Sequence, residues 1–382
     1  MSFGFLRFAP KKGNTVLALC MGEREIDFLL FKKAGSRVQV VAYGSEDIST
    51  LRVGQILEKI FAQFPREERI QEIRATFGAN PFRAQVIPII FPPKLPMHVM
   101  DKGEAFLIER ETRARADREL QKNLFRESGI LPNEFSLRSL KILERRIAGY
   151  LVPKLAGFRN GEIECAVLGM FLLESSFLPV KEFAKVHTIA NVSVIHIAEA
   201  LEAFARKPGR EGVYLCLEEE KTQIAVQARD RFVFLGTASM GARNFTEFFS
   251  DTLGMREPTA RIFQKQYFEG SLSVGVQEKM QTYLLPEIQK FGTLIKQKLL
   301  EAKIVLPGSI WVFGRGGILR NLQSLLTSDV LEGLPFSQKP KISFLLPSDV
   351  WEVKNFPGAQ DPLYTELCLL GAFALNSRFR TG

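Results

Sequence analysis

Apolar and polar positions alternate in short blocks near the middle of the chain. Residues 213–217 are an apolar run, 218–222 a polar turn, 223–227 an alternating run, Arg229-Asp230 a second turn, and 231–235 a third apolar run. Period-2 alternation broken by short polar turns predicts consecutive hairpin strands, because successive side chains of a strand point to opposite faces. The same arrangement opens the chain: a run at 16–20, a turn at 21–25, a run at 26–31, a turn at Ala34-Gly35 and a run at 37–43. One three-stranded meander is therefore stated twice, each time followed by a segment of helical character. A unit repeated once, rather than many times, predicts two pseudo-equivalent lobes facing one cleft and not a solenoid.

Elsewhere the pattern predicts a mixture of helices and strands. Residues 50–64 carry Leu51, Ile56, Ile60 and Phe64 near helical spacing and stop at Pro65, which cannot continue a helix. Residues 73–77 and 84–91 read as strands, and the prolines at 92, 93 and 96 make the next stretch irregular. Residues 102–125 read as a strongly charged helix containing ERETRARADRELQK. Its mixed signs predict a solvated face rather than a nucleic-acid patch. Residues 141–147, a turn at Ala148-Gly149, a break over 153–161 and a run at 162–171 make a further hairpin group. Helices are expected over 181–190, 198–206, 244–253, 258–267 and 276–302, with a strand at 192–197. A buried strand at 310–313 runs into Gly314-Arg315-Gly316-Gly317 and a helix over 319–326. That succession lets a ligand approach the backbone closely. A strand at 342–346 and a helix over 361–379 close the chain.

At 382 residues the chain exceeds what one core usually serves, so two or more domains are expected. A hydrophobic content of 46% with 24% charged residues is that of an ordinary globular protein. The net charge of +9 favours acidic partners, whether anionic lipid, an acidic peptide tail or nucleic acid. Cys20, Cys165, Cys216 and Cys368 have no CxxC spacing, which fits reduced thiols in a cytoplasmic protein. Sequence spacing offers no zinc motif, no hydrolytic triad, no P-loop and no dinucleotide fingerprint. His98, His187 and His196 are too far apart to propose a ligand set, and His196 reads as a satisfied core residue. The N-terminal MSFGFLRFAPKK is aromatic and basic but lacks the long apolar core of a secretory signal. No apolar run reaches the length of a transmembrane helix.

The doubled meander, in this order and spacing, resembles the superfamily of actin, the heat-shock chaperones and the sugar kinases. The resemblance covers nearly the whole length. It implies an α/β, duplicated actin-like (ribonuclease H-like) two-lobed fold with an inserted 1C-type α+β subdomain. Residues 1–72, 174–208 and 342–382 would form the first lobe, 73–173 the insertion and 209–341 the second lobe. Within the superfamily, RRIAGYLVPKLAGFRNGEIECAVLGMFL and VIHIAEALEAFAR make the chain most similar to the bacterial cell-division family FtsA, with the pilus-assembly family PilM next. FtsA proteins usually end in a linker and a membrane-binding amphipathic helix. This sequence ends at Gly382 without that extension, leaving the short N-terminal segment as a weak substitute for peripheral membrane contact.

The superfamily cradles the phosphates of ATP in two glycine-rich hairpin turns, each opened by an aspartate that handles the metal ion. Here the first such aspartate position resembles Cys20, followed by Met21 and Gly22; the second resembles Cys216, with Glu218, Glu219 and Glu220 where the family has glycines. Thr222 matches a family threonine, Gln223 replaces an acidic residue, and Gly241 follows the second meander. Carboxylates about 4 Å from a phosphate oxygen each repel it by about 1 kcal/mol in water and about 4 kcal/mol at an effective dielectric of 20. Three in one turn oppose a triphosphate unless a metal ion or basic residues intervene. Gly314, Gly316 and Gly317 resemble the adenosine motif, equally consistent with close packing of two layers. Arg315 replaces a family glycine there and would crowd the pocket or pair with glutamates across the cleft. Arg261 and Gln264 stand where the family contacts the nucleoside with a glutamate and a lysine. Cys20 and Cys216 approach the cleft if the lobes pair as in the family; a redox or metal pair is weighed there against two small strand-end residues, which is the reading taken.

The resemblance implies an FtsA-like cytoskeletal scaffold with a degenerate nucleotide site: no catalytic residue, no metal set, and ATP with magnesium disfavoured. Its partners would be the tail of the tubulin-like division protein FtsZ, or the cytoplasmic tail of a membrane protein, and further copies of itself head to tail. Nucleic acid is not expected. An active ATPase whose glutamates hold the metal, and a PilM-type platform for a pilus protein, are the alternatives. The expected location is the cytoplasm, at the inner face of the cell membrane.

Overall fold

In the computed structural model the described residues are 15–34, 37–48, 51–65, 67–93, 98–159, 161–229, 231–315, 330–354 and 356–377. The expected helix over 319–326, together with Gly316 and Gly317, lies outside them, as do Gly35, Asp230, most of the proline-rich stretch and the N-terminal segment. The opening meander is β1 (Thr15–Met21), β2 (Glu25–Ala34) and β3 (Arg37–Asp47), followed by α1 (Val53–Ala62) and β4 (Ile70–Phe77). Next come β5 (Phe82–Phe91), α2 (Lys102–Ser128), β6 (Phe135–Ile147), β7 (Tyr150–Leu151) and β8 (Ile163–Leu173). The chain continues with α3 (Glu174–Val186), β9 (Asn191–Val194) and α4 (Ile197–Ala205). The second meander is β10 (Gly212–Leu217), β11 (Thr222–Ala228) and β12 (Arg231–Ala238), followed by α5 (Ala242–Leu253), α6 (Glu257–Glu269), α7 (Val274–Glu301) and β13 (Ser309–Gly314). Strand β14 (Lys341–Phe344), the short α8 (Pro347–Val350), β15 (Val353–Lys354) and α9 (Thr365–Ser377) finish the chain.

The strands form three sheets. The first runs β15-β3-β2-β1-β4-β9 and the second β12-β11-β10-β13-β14. In each, the meander is antiparallel and its first strand pairs in parallel with a later strand, β1 with β4 and β10 with β13. A fifth strand follows in parallel, β9 beside β4 and β14 beside β13. The two lobes thus repeat one topology, as the doubled pattern of hydrophobic positions requires. Both β10 and the first six residues of β11 are buried on both faces, which is why β10 reads as an apolar run, whereas β11 alternates in sequence although its Gln223 and Gln227 are buried as well.

The third sheet, β5-β8-β6-β7, is antiparallel throughout and carries its own core. Strand Ile70–Phe77 pairs with β1 in the first sheet, so the inserted sheet starts at Phe82. Helix α2 covers this sheet. Its charges face water while Ala105, Ile108, Thr112, Ala116, Leu120 and Leu124 are buried, a stripe at steps of three and four. The Asp101 side chain caps its start by accepting from the Glu104 amide at 2.8 Å, and Gly129 at φ 67° ends it. Among the described residues no helix is long and apolar enough to cross a membrane.

His196 is a buried helix cap rather than part of a strand. Its Nδ1 accepts from the Ala198 amide at 3.1 Å and its Nε2 lies 3.2 Å from the Phe82 carbonyl oxygen. Burial holds its pKa down to about 4, so the ring is neutral and Nε2 donates.

Candidate functional site

The two hairpin turns that interrupt the apolar runs lie on one cavity. The β1–β2 turn supplies Gly22 and Glu23, the β10–β11 turn supplies Glu218, Glu219, Glu220 and Lys221, and Cys20, Asp27, Arg315 and Glu366 line the same space. Each turn closes on itself in the same way: the Gly22 amide donates to the Glu25 carbonyl at 3.0 Å, and the Glu218 amide to the Lys221 carbonyl at 2.9 Å. Beside each turn ends the parallel strand of its lobe, with Phe77 level with Met21 and Gly314 level with Leu217. A Cβ on Gly314, at φ 76°, would meet the Leu217 carbonyl oxygen at 2.8 Å. This glycine serves the close approach of two strand ends.

Arg315 fills the middle of the cleft. It lies just past β13 in the second lobe and reaches Glu25 at 2.7 Å and Asp27 at 3.3 Å on β2 of the first, while its Nε lies 3.6 Å from Glu219. Burial opposes its charge, but Asp27 and Glu25 outweigh that and raise its pKa. Burial likewise works against the Glu25 carboxylate, and Arg315 overcomes it, leaving Glu25 below the ordinary value. Asp27 is the exception: burial wins over Arg315 and raises it. Arg261 on α6 adds a second tie, to Glu219 at 2.8 Å and to Glu25 at 3.7 Å, and Arg24 pairs with Glu257.

The acidic turn is otherwise held by hydrogen bonds across the cleft. The Ala79 amide donates to Glu218 Oε2 at 2.7 Å, and the Gln223 amide group donates to the other oxygen. The Asn80 side chain donates to Glu220 at 2.9 Å and also to Glu23. Arg243 pairs with Glu220 at 2.9 Å. Partial burial and the neighbouring Glu366 push Glu218 up to about 8, and burial with Glu220 pushes Glu23 up to about 7.

Helix α5, whose amides point at the same turn, is closed to an outside anion. Ala242 and Arg243 donate their amides to the carbonyls of Glu218 and Glu219 at 2.9 and 2.8 Å. A Cβ on Gly241 would meet the Glu219 carbonyl oxygen at 2.5 Å. The Thr222 hydroxyl turns into its own hairpin and donates to the Met240 carbonyl at 2.7 Å. Gly241 and Thr222 therefore pack the turn. Glu25, Asp27, Glu366 and Asn80 join the site without having been singled out by sequence. The available signal is acids set among apolar residues, Glu25 and Asp27 in EIDFLLF and Glu366 in TELCLLGAFAL.

Beneath the turn, Cys20 and Cys216 are the next-to-last residues of the two central strands, β1 and β10. Cys20 Sγ lies 3.5 Å from Glu366 Oε2, and the ligand atoms of Cys216, Glu218 and Glu366 lie within 4.8 Å of one another. Burial raises both thiols well above their usual range, with Glu366 adding to it. The fold assembles here a donor set that chain spacing does not reveal. The free space above it is about 30 Å³, room for about two or three water molecules.

No family model matches the chain, and no curated protein sequence matches it. Among solved structures it is similar to a PilM-PilN type IV pilus biogenesis complex, at 17% identity over 94% of this chain and 98% of that one, with a TM-score of 0.64. Weaker likenesses are the ethanolamine utilization protein EutJ from Carboxydothermus hydrogenoformans, at 10% identity, 96% and 92% coverage and TM-score 0.49, and a Bacteroides thetaiotaomicron protein with an actin-like ATPase fold, at 11%, 96% and 99%, and 0.42. The expected actin-like fold is found, and the strongest of these likenesses is to the PilM-PilN complex. With its repeated sheet topology and its two turns on one cavity, the chain has a duplicated, two-lobed actin-like fold.

Proposed function

We propose that this chain is an actin-like scaffold without nucleotide turnover, a PilM-type platform that holds an extended tail peptide of a partner protein. The observation that carries this reading is the Arg315 bridge. Where the superfamily cradles phosphates, Arg315 joins Glu25, Asp27 and Glu219. The remaining space of about 30 Å³ is far below the about 300–1,000 Å³ of a ligand pocket. ATP with magnesium would have to break these pairs and meet the freed carboxylates.

A second recess supports the platform. A groove of about 590 Å³ runs between β5 of the inserted sheet and β12 of the second lobe. Both are edge strands, β5 pairing with β8 alone and β12 with β11 alone. Consecutive residues of each, 82–87 and 233–237, line the groove, so the strand edges and not one face are presented. An extended peptide adds to such an edge through main-chain hydrogen bonds. Lys221 lines the groove with Arg83; burial and then Arg83 lower its pKa, which an acidic tail residue would reverse.

The test is thermal unfolding of the purified chain with ligands. A ligand at 100 times its dissociation constant stabilises by about 2.7 kcal/mol. ATP with magnesium is expected to leave the melting temperature unmoved, while a tail peptide of a membrane pilus protein raises it and loses that effect in Lys221→Glu. A shift with ATP would defeat the reading. A shift with an acidic FtsZ tail alone would turn it toward the division scaffold.

A further inference from the structure

Three side chains of metal-ligating type from both lobes, Cys216, Glu218 and Glu366, converge beneath the acidic turn, and Cys20 adjoins them through Glu366. Cys20 and Cys216 are the next-to-last residues of β1 and β10, Glu218 opens the turn after β10, and Glu366 lies in the first turn of α9. Glu366 links the two thiols: one of its oxygens lies 3.5 Å from Cys20 Sγ, and its ligand atom is within 4.8 Å of those of Cys216 and Glu218. We propose that Cys20, Cys216, Glu218 and Glu366 bind one zinc-class divalent cation that clamps the two lobes from inside.

The donor chemistry favours that class. Two thiolates with two carboxylates suit zinc, which takes sulfur at about 2.3 Å and oxygen at about 2.0–2.2 Å in a tetrahedron. Ligand atoms on such an ion are about 3.3–3.8 Å apart, so side-chain shifts of about an ångström close the Cys216, Glu218 and Glu366 set, and Cys20 already lies 3.5 Å from Glu366. Glu218 is already oriented, its two oxygens accepting from the Ala79 amide and the Gln223 side chain, as metal-bound carboxylates commonly are.

An independent observation comes from Asp27. It sits directly across from Cys20 in the β1–β2 register, is 3% exposed and lines the same cavity. Its Oδ1 has no hydrogen-bond partner, while Oδ2 faces Arg315. A buried oxygen that accepts nothing is costly, and a cation in this cavity offsets that cost.

The experiment is titration of the full chain, stripped with a chelator, with Co²⁺ alone and then Zn²⁺. The expected result is one ion per chain, thiolate-to-cobalt charge-transfer absorption in the near ultraviolet, its loss when Zn²⁺ displaces Co²⁺, and a raised melting temperature. Cys20→Ser and Cys216→Ser should each weaken Co²⁺ binding by about 100-fold or more, beyond the cost of losing an outer hydrogen-bond partner. Cys165→Ser, in the inserted sheet, should change nothing. Glu366→Gln keeps the side-chain shape, so it tests the site even where a cysteine variant fails to fold: binding weakens about as much. Absence of stoichiometric Co²⁺ binding, or thiolate absorption that survives in the Cys20→Ser/Cys216→Ser double variant, would overturn the proposal. The titration contains no nucleotide or peptide, so its failure leaves the scaffold reading untouched.

Discussion

Arg315 carries more of the cleft than any other side chain. A guanidinium presents a planar fork of donors that a lysine cannot reproduce, and this one meets carboxylates of both lobes. Removing one partner of a buried ion pair typically costs about 3–5 kcal/mol, because it leaves uncompensated charge. Arg315→Ala should lower stability by that order in urea unfolding, and Arg315→Lys should recover only part of it. The titration of Glu218 makes a second prediction. Its folded pKa of about 8 stands above the ordinary 4.5, so the folded chain holds a proton that the unfolded chain releases. The stabilisation is full below about pH 4.5 and declines as pH rises through about 8. Glu218→Gln should flatten that decline, read as unfolding free energy between about pH 5 and about pH 8. His196 runs the other way, its contribution fading as pH falls from 6.5 toward about 4. At this scale the sequence was legible where a residue broke a local rule: arginine in a glycine turn announced a pairing across the cleft. Asp27 and Glu366 stayed hidden because their apolar neighbours were read only for strand and helix, and what each acid faces depends on the other lobe.

The acidic turn and helix α5 behave as one element. The helix start donates to the turn's carbonyls, and Gly241 lets the two backbones touch. Gly241 sits at φ −136°, open to any residue, so the constraint is space alone. Gly241→Ala should destabilise by about 1–3 kcal/mol through overpacking, measured by thermal unfolding, whereas Gly54→Ala on α1, with nothing near its missing Cβ, should not. Both meanders, and most helices, were legible because hydrophobic period depends on local burial. Helix α3 shows where that fails: the pattern predicts a helix over 181–190, yet it spans Glu174–Val186 with Pro179 inside, because Phe177, Val180, Phe183 and Ala184 pack into the first-lobe core. Tertiary burial there outweighs the hydrogen bond that proline removes.

For the whole molecule, the consequence is a cleft held shut by the chain itself. Arg24–Glu257, Arg261–Glu25 and Arg315 with Glu25 and Asp27 all cross between lobes, and Ala79 and Asn80 add hydrogen bonds to Glu218 and Glu220. The exposed pairs are individually weak, about 0–1 kcal/mol each, so no single one at the rim sets the closure. Their joint loss should matter more, since Arg24 and Arg261 share Glu257 while Arg261 and the buried Arg315 share Glu25, which couples the pairs. Arg24→Ala/Arg261→Ala should lower the free energy of opening by about 1.4 kcal/mol, which is a tenfold change. Amide hydrogen exchange reads it directly: the turns at 22–24 and 218–221 should exchange about tenfold faster, while the inserted-sheet core around Cys165 and Val167 keeps its protection. Faster exchange spread evenly over all three sheets would mean that the arginines stabilise the fold at large and not the closed arrangement of its lobes.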